Sequence, residues 1–296
     1  MKAIRGICPI LAAPFTADGE VDYAGLARLV QHLNQTGVSA LTLFGLATEY
    51  YKLTDAERSR MLAVMMEHIG EPAAIASVTA HSWEVAVRCA REYEVAGVNA
   101  LMLMPPFFLG PSAAAVREHV LRVAAAVTVP VIVQYAPVQT GLRLAPEFFV
   151  DLWRAAPNVC YVKVEVQPPG PFITALRELS GGGVQALVGY AGLQMPDTVR
   201  RGAVGIQPGC SLAEAYVEIW RQYEAGELEA GDRLHARLLP FISDAMQSVE
   251  LIIKLEKIIL ARRGLIASDY CRAPSLEPDS FQLAALDRYL SKLLPV

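Results

Sequence analysis

A lysine and a glutamate stand two positions apart in an otherwise uncharged run of the chain. Residues 159–166 read Val-Cys-Tyr-Val-Lys-Val-Glu-Val, with Lys163 and Glu165 as the charged pair. If this run is a β-strand, its period of two places both side chains on the same face. A lysine amine with little water around it is more often neutral, and it can then attack a carbonyl carbon to form an imine. A neighbouring carboxylate could move protons at the adjacent carbon, although the spacing alone also allows a plain ion pair.

Short apolar runs resembling this one recur at intervals of about 30 residues. They lie at 7–15, 40–45, 73–78, 100–105, 129–135, 159–166, 184–190 and 203–209. Nearly continuous apolar runs are typical of strands that are buried on both faces. The stretches between them have the apolar period of helices, and 54–70 opens with Thr54 and Glu57 in the spacing of a capping box.

The alternation of strand and helix predicts a parallel sheet with right-handed crossovers. Eight such units predict an α/β fold of the (β/α)8 type, the TIM barrel. An open doubly wound sheet is the structural alternative, which is disfavoured because the chain contains neither GxGxxG nor GxxxxGK[ST].

No strand-like run follows residue 226. We therefore predict a barrel catalytic domain over 1–226 and a helical appendix, packed on the barrel, over 227–296. Proline interrupts helices, so Pro240 should divide 227–264 into two helices. A last helix should cover 278–293.

Composition excludes several classes of protein. Of 296 residues, 53% are apolar and 19% charged, which excludes a disordered chain. The net charge of −4 argues against nucleic acid or an anionic membrane as a partner. Scattered cysteines without CxxC spacing are typical of reduced thiols in a cytoplasmic protein. The sequence lacks metal-ligand spacing among its histidines, a targeting segment and a spanning apolar stretch, and we expect no metal or other cofactor.

Active sites of such barrels lie at the carboxyl ends of the strands. Tyr135 ends the fifth run, next to the strand of Lys163, and its phenol could hydrogen-bond a carbonyl or an imine. We predict Lys163, Tyr135 and Glu165 as catalytic residues. Gln207 and Gly189, near the ends of the last two runs, are predicted to bind substrate.

Three motifs together resemble those of the dihydrodipicolinate synthase/N-acetylneuraminate lyase family. The family motifs are G-T-T-G-E…L-T-x-x-E, Y-N-x-P and G-[IV]-K. The similar segments here are Gly45-Leu46-Ala47-Thr48-Glu49 with Leu53-Thr54-x-x-Glu57, then Tyr135-Ala136-Pro137, and then Tyr161-Val162-Lys163. Their order and spacing match over nearly the whole chain.

The resemblance implies a (β/α)8 lyase of the class I aldolase type, often a homotetramer, that acts on a small 2-oxo acid. It implies Lys163 as the imine-forming lysine and Tyr135 as the proton-relay tyrosine. It also implies that Gly45, Leu46, Ala47 and Thr48 bind the carboxylate of the 2-oxo acid, mainly through backbone N–H groups.

This sequence also departs from the family pattern. The paired threonines of the synthase fall on Leu46 and Ala47, and its second relay tyrosine falls near Phe107 and Phe108. These losses disfavour dihydrodipicolinate synthesis, whereas the carboxylate of Glu165 suits β-elimination. We therefore predict a dehydratase or aldolase of a 2-oxo-3-deoxy sugar acid or a similar hydroxylated 2-oxo acid.

Three alternatives to this function remain. One is an aldolase that releases pyruvate, with Glu165 only orienting the substrate. Another is a condensation like that of dihydrodipicolinate synthase. The third is a barrel that binds a metabolite without catalysis, because a fold alone does not guarantee an activity.

Overall fold

Eight parallel strands form one sheet in the order β1-β8-β7-β6-β5-β4-β3-β2. The structure is a computed structural model that describes residue 2 and residues 4–293. Main-chain hydrogen bonds also join the two ends of the sheet, since Ser39 N–H donates to Ile7 (2.8 Å) and Leu11 N–H to Thr42 (2.9 Å). The predicted (β/α)8 barrel is confirmed. The strands are β1 (Gly6–Ile7), β2 (Ala40–Leu43), β3 (Ala73–Thr79), β4 (Ala100–Met104), β5 (Val131–Tyr135), β6 (Tyr161–Val164), β7 (Gln185–Val188) and β8 (Gly205–Ile206).

Helices cover the outside of the barrel and continue beyond it. They are α1 (Tyr23–Leu33), α2 (Asp55–His68), α3 (Trp83–Val95), α4 (Ala113–Ala124), α5 (Pro137–Thr140), α6 (Pro146–Ala155), α7 (Pro169–Ser180), α8 (Met195–Arg200), α9 (Ala213–Glu224), α10 (Leu228–Ala245), α11 (Val249–Arg262) and α12 (Ser280–Leu293). Short 3₁₀ turns follow two strands, Leu46–Thr48 and Tyr50–Lys52 after β2 and Tyr190–Gly192 after β7.

The strands are mostly apolar because both of their faces are buried. One face points into the barrel, where Ile75, Met102, Ile132 and Leu187 belong to a small interior cluster. The other face packs against the helices in a much larger cluster. Two apolar layers therefore replace the alternation that a half-exposed sheet would show.

Local signals in the sequence place helix α2 correctly. Thr54 Oγ1 accepts a hydrogen bond from the N–H of Glu57 (3.2 Å), and the Glu57 carboxylate accepts one from the N–H of Thr54 (2.8 Å). This reciprocal pair is the predicted capping box, and it satisfies donors that the first turn of a helix leaves free.

The first strand is much shorter than the apolar run at 7–15. Its ladder ends at Ile7, and Ile10 makes only isolated bridges to Thr42 and Gly209. Pro9 and Pro14 lack N–H groups, so a continuous ladder cannot pass through them.

The prediction that Pro240 separates two helices is wrong. Pro240 lies inside α10, which runs without a break to Ala245. The interruption falls at residues 246–248, before α11. A proline removes one N–H and crowds one preceding carbonyl, and the other hydrogen bonds and the apolar face of α10, packed beside α9, hold the helix together. The division at residue 226 stays a prediction.

None of the helices within residues 4–293 is both long enough and apolar enough to cross a membrane.

Candidate active site

The residues around Lys163 are positioned by the register of two neighbouring strands. Gln134 of β5 pairs with Lys163 of β6, so both side chains lie on the inner face of the barrel. Lys163 Nζ lies 3.4 Å from Glu165 Oε1. Gln134 Nε2 donates to the other carboxylate oxygen, Glu165 Oε2, at 2.7 Å. All three side chains are buried, with exposed fractions between 3 and 9%.

Gly189 explains why the carboxylate of Glu165 fits here. A Cβ atom at position 189 would lie 2.2 Å from Glu165 Oε1, which is far inside van der Waals contact. The main chain just after β7 therefore leaves the space that Glu165 fills. Gly189 was predicted to bind substrate. The structure places it against Glu165, the predicted acid/base residue, and not among the lining residues of the cavity described next.

A cavity at the carboxyl end of the barrel holds Lys163 and Glu165 together with residues from several loops and from the C-terminal helices. Its lining residues are Ile10, Leu46, Ala47, Gln139, Lys163, Glu165, Tyr190, Ala191, Gln207, Pro208, Gly209, Met246, Val249, Ile252, Ile253 and Glu256. Leu46, Ala47 and Gln207, all predicted to bind substrate, are among them, whereas Gly45 and Thr48 are not.

Tyr135 has a different environment from the one that its predicted role requires. It pairs with Val164, so its side chain leaves the opposite face of the sheet from Lys163. Its ring stacks on Phe172 at 5.1 Å between centroids, and its hydroxyl accepts a hydrogen bond from the N–H of Leu144 (3.1 Å). The structure does not bring Tyr135 into the cavity of Lys163.

Tyr190 is the phenol that lines the cavity. Its hydroxyl accepts a hydrogen bond from Gln139 Nε2 at 3.3 Å. Burial raises the pKa of Tyr190, and the negative charge of Glu165 adds to that effect, so the phenol keeps its proton and can donate it to a ligand. Tyr190 and Ala191 both have left-handed backbones, with φ of 49° and 50°, and such strain is common at functional turns.

The turn after β2 is fixed by buried polar contacts. Thr48 Oγ1 donates to the carbonyl of Leu11 at 2.7 Å. Glu49 is fully buried, where it forms ion pairs with Lys52 (3.0 Å) and with Lys257 of α11. Glu49 thus joins this turn to the C-terminal helices instead of facing the ligand cavity.

Sequence reasoning missed Glu256, which α11 carries into the same cavity as Lys163. It stands about ninety residues after Lys163 on an otherwise apolar face of α11, and no motif marks it. The signal that could have found it is its charge, because an acidic residue on an otherwise apolar helical face needs a partner or a function.

These observations can be compared with known proteins. Residues 3–293 match the model of the dihydrodipicolinate synthetase family. The chain belongs to this family. It is 26% identical to the L-2-keto-3-deoxyarabonate dehydratase of Azospirillum brasilense over 98% of this chain and 96% of that one. It is 27% identical to the 4-hydroxy-tetrahydrodipicolinate synthase of Kineococcus radiotolerans over 100% and 96% of the two chains.

Solved structures show the same fold. A dihydrodipicolinate synthase from Rhodopseudomonas palustris superposes with a TM-score of 0.91 at 24% identity, over 98% of both chains. The sialic acid aldolase of Ruminococcus gnavus gives a TM-score of 0.89 at 20% identity, over 98% of this chain and 96% of its own. Family membership confirms the prediction of a lyase of the Schiff-base type.

Within the dihydrodipicolinate synthetase family, the Y-N-x-P motif can be placed in two ways on this chain. Placed on its tyrosine, the motif gives Tyr135 the relay role. Placed on Pro137, it puts Gln134 at the tyrosine and Tyr135 at the asparagine. The second placement agrees with the strand register, in which Gln134 and not Tyr135 faces Lys163.

Proposed function

We propose that the protein dehydrates a hydroxylated 2-oxo acid of the 2-oxo-3-deoxy sugar acid type through an imine on Lys163. The observation that carries the proposal is the buried group of Lys163, Glu165 and Gln134 on one inner face of the barrel. Similarity to a 2-keto-3-deoxyarabonate dehydratase over nearly the whole length of both chains supports the same reaction class.

Imine formation is the first step. The neutral amine of Lys163 attacks the C2 carbonyl carbon of the substrate, and the carbonyl oxygen leaves as water. For the amine to be neutral, Lys163 must first give up a proton, and Glu165 Oε1 at 3.4 Å is the nearby group that can accept it. Glu165 then passes this proton to the departing oxygen, which takes its other hydrogen from the amine, so the imine is protonated and Glu165 is a carboxylate again.

Elimination follows on the imine. The protonated imine acidifies C3, and Glu165 removes a C3 proton to give an enamine. The enamine electrons then expel the C4 hydroxyl, which takes a proton from Glu165 and leaves as water. Hydrolysis of the remaining imine restores Lys163, so the net change is the loss of one water from the substrate. Gln134 acts as a positioning residue, since its amide holds Glu165 Oε2 at 2.7 Å.

The remaining contacts are assigned on the same basis. We assign the substrate carboxylate to the backbone of the Gly45–Thr48 segment, of which Leu46 and Ala47 line the cavity. The first N–H groups of a 3₁₀ turn have no acceptor inside the turn, so they can bind an oxyanion. Cytoplasmic location and a homotetramer complete the proposal.

Borohydride trapping tests the imine separately from the elimination. We expect the wild-type enzyme to form a reduced adduct with pyruvate on Lys163, and Lys163→Ala to form none. Glu165→Gln should still trap pyruvate, more slowly because the proton of Lys163 must then go to water, and its rate of dehydration should fall by about 10²–10⁴-fold, as for loss of a general acid–base group. Glu165→Gln that dehydrates at the wild-type rate would remove Glu165 from the mechanism.

Tyr135→Phe is the matched comparison for Glu165→Gln. Because the Tyr135 hydroxyl contacts Leu144 outside the cavity, we expect its dehydration rate to fall by less than about fivefold. A loss as large as that of Glu165→Gln would instead assign the proton relay to Tyr135. Detection of pyruvate and an aldehyde as products would replace dehydration with aldol cleavage.

A further inference from the structure

The helix α11 supplies a carboxyl group to a cavity that is otherwise built by barrel loops. Glu256 is 4% exposed and lines the same cavity as Lys163. Its Oε2 accepts a hydrogen bond from the N–H of Ser211 at 2.8 Å. A Cβ atom at Gly209 would lie 2.2 Å from the Glu256 carboxyl carbon, so this glycine leaves room for the carboxyl against the main chain after β8.

No lysine, arginine or histidine within residues 4–293 forms an ion pair with Glu256 in the structure. Burial raises the pKa of Glu256, and the hydrogen bonds from Ser211 and Cys210 together with the positive charge of Arg263 offset only part of this effect. The carboxyl can therefore hold a proton, and it can donate a hydrogen bond as well as accept one.

Gln207 adds a second polar group to the lining of the same cavity. It is 3% exposed, and its Nε2 donates to Thr42 Oγ1 at 3.1 Å. Its Oε1 is buried and receives no hydrogen bond in the described part of the chain. A buried acceptor without a donor is costly, and a ligand hydroxyl in the cavity would remove that cost.

The charges of the cavity restrict which ligand these groups fit. Lys163 is the one cationic residue among the described lining residues, and imine formation uses it. A second carboxylate on the substrate would meet Glu165 and Glu256 with no cation left to pair with. A hydroxyl suits both groups, because it can donate its hydrogen to Gln207 Oε1 while its oxygen accepts a hydrogen bond from the Glu256 carboxyl when that carboxyl holds a proton.

We propose that Glu256 and Gln207 form a subsite for a hydroxyl of the substrate remote from its carbonyl carbon, and that this subsite selects 2-oxo acids with a hydroxylated tail over those with a second carboxylate. Glu256 is thus a specificity-determining residue that α11 contributes. The inference rests on the proposed function, since it describes the substrate of the Lys163 imine.

The test compares two rates in each variant. The first is kcat/KM for dehydration of a 2-oxo-3-deoxy aldonic acid, which ends in a hydroxyl, and the second is the rate of borohydride trapping with pyruvate, which has no hydroxyl. In Glu256→Leu, whose side chain can neither donate nor accept a hydrogen bond, we expect the first rate to fall at least about tenfold more than the second, as for loss of a buried hydrogen bond to a ligand. Preference for the hydroxyl-terminated acid over the corresponding 2-oxo-3-deoxy diacid should fall by a similar factor.

Glu250→Leu is the matched control, because it makes the same change on the first turn of α11 at a residue outside the cavity lining. Its two rates should keep their wild-type ratio. Gln207→Leu should shift the ratio in the same direction as Glu256→Leu, and it supplies the answer if Glu256→Leu does not fold, as judged by circular dichroism.

The outcomes separate the two proposals. A wild-type enzyme that traps pyruvate, with Glu256→Leu or Gln207→Leu folded and its ratio unchanged, would overturn the subsite and leave the proposed function standing. A wild-type enzyme that traps no 2-oxo acid would overturn the proposed function itself.

Discussion

Glu165 is held in place by a hydrogen bond on one side and by the absence of a side chain on the other. Gln134 supplies the hydrogen bond, and Gly189 supplies the space. Gly189→Ala would insert a methyl group 2.2 Å from Glu165 Oε1 and push the carboxylate away from the reacting carbon. A displacement of about 1 Å can lower a rate by about 10²-fold, so we expect dehydration to fall by about 10- to 100-fold. Steady-state kinetics, with trapping of pyruvate as the second readout, measures this loss.

Gly70→Ala is the control for that substitution. Its added Cβ would meet Asn34 at no less than 3.5 Å, which is ordinary contact. We expect its kinetics to match the wild type within about twofold. Wild-type kinetics in Gly189→Ala would show that the position of the Glu165 carboxylate does not matter to the reaction.

At the scale of single residues, the sequence predicted which side chains share one face of a strand and little more. Lys163 and Glu165 share a face because they are two apart on one strand. Whether Gln134 or Tyr135 faces Lys163 depends on the register between β5 and β6, which no local pattern encodes. Glu256 reaches the cavity through packing of α11 on the barrel, and that packing depends on contacts distant in sequence.

At the scale of elements, the cap of α2 offers a measurable contribution to stability. Thr54→Ala would remove the side-chain acceptor of the capping box. We expect the free energy of unfolding to fall by about 1 kcal/mol, because one helix donor loses its acceptor. Urea denaturation measures the change. Ser82→Ala is the control, since Ser82 precedes α3 without a cap hydrogen bond, and it should cost clearly less.

The elements differ in how much of them was predictable. Seven of the eight apolar runs coincide with a strand, because burial on both faces leaves a strong signal in the sequence, and the first run overlaps β1 only at Ile7. The first run was too long, since its prolines end the ladder. The position of Pro240 inside α10 was not predictable, because tertiary packing around a helix can outweigh the local cost of a proline.

At the scale of the whole molecule, an ion pair joins helix α2 to the segment before α12. Arg272 Nη1 donates to Glu57 Oε2 at 2.9 Å, and the same guanidinium donates to the carbonyls of Gly19 and Lys52. The hydrogen bonds from Arg272 lower the pKa of Glu57 from its usual 4.5 to about 2. Glu57 therefore binds a proton more readily in the unfolded chain than in the folded chain.

The consequence is a loss of stability in acid. The contribution of Glu57 is complete above about pH 4.5, and it disappears as the pH falls towards about 2. Glu57→Gln should lower the free energy of unfolding at pH 7 by about 1–2 kcal/mol, a modest value because water screens the pair. The wild type and Glu57→Gln should converge in stability as the pH falls through that window.

Thermal unfolding at several pH values measures the convergence. Glutamine can still accept the hydrogen bond of the capping box, so the variant isolates the charge. Glu67→Gln, on the exposed side of the same helix, is the control and should follow the wild type at each pH. If the free energies of unfolding of Glu57→Gln and the wild type differed by the same amount from pH 7 to pH 2, the lowered pKa of Glu57 would not be the cause.

Two carboxyl groups in the cavity each press against a glycine of the main chain, Glu165 against Gly189 and Glu256 against Gly209. Neither carboxyl can keep its place if its glycine gains a side chain, and neither glycine has this reason to persist once its carboxyl is gone. We therefore expect the two positions of each pair to change together among relatives of this chain. Under the proposed roles, a residue other than glycine at the position of Gly189 should accompany a different acid–base residue, and the same change at the position of Gly209 should accompany a different substrate preference. An alignment of relatives in which Gly189 and Glu165 vary independently would contradict this expectation.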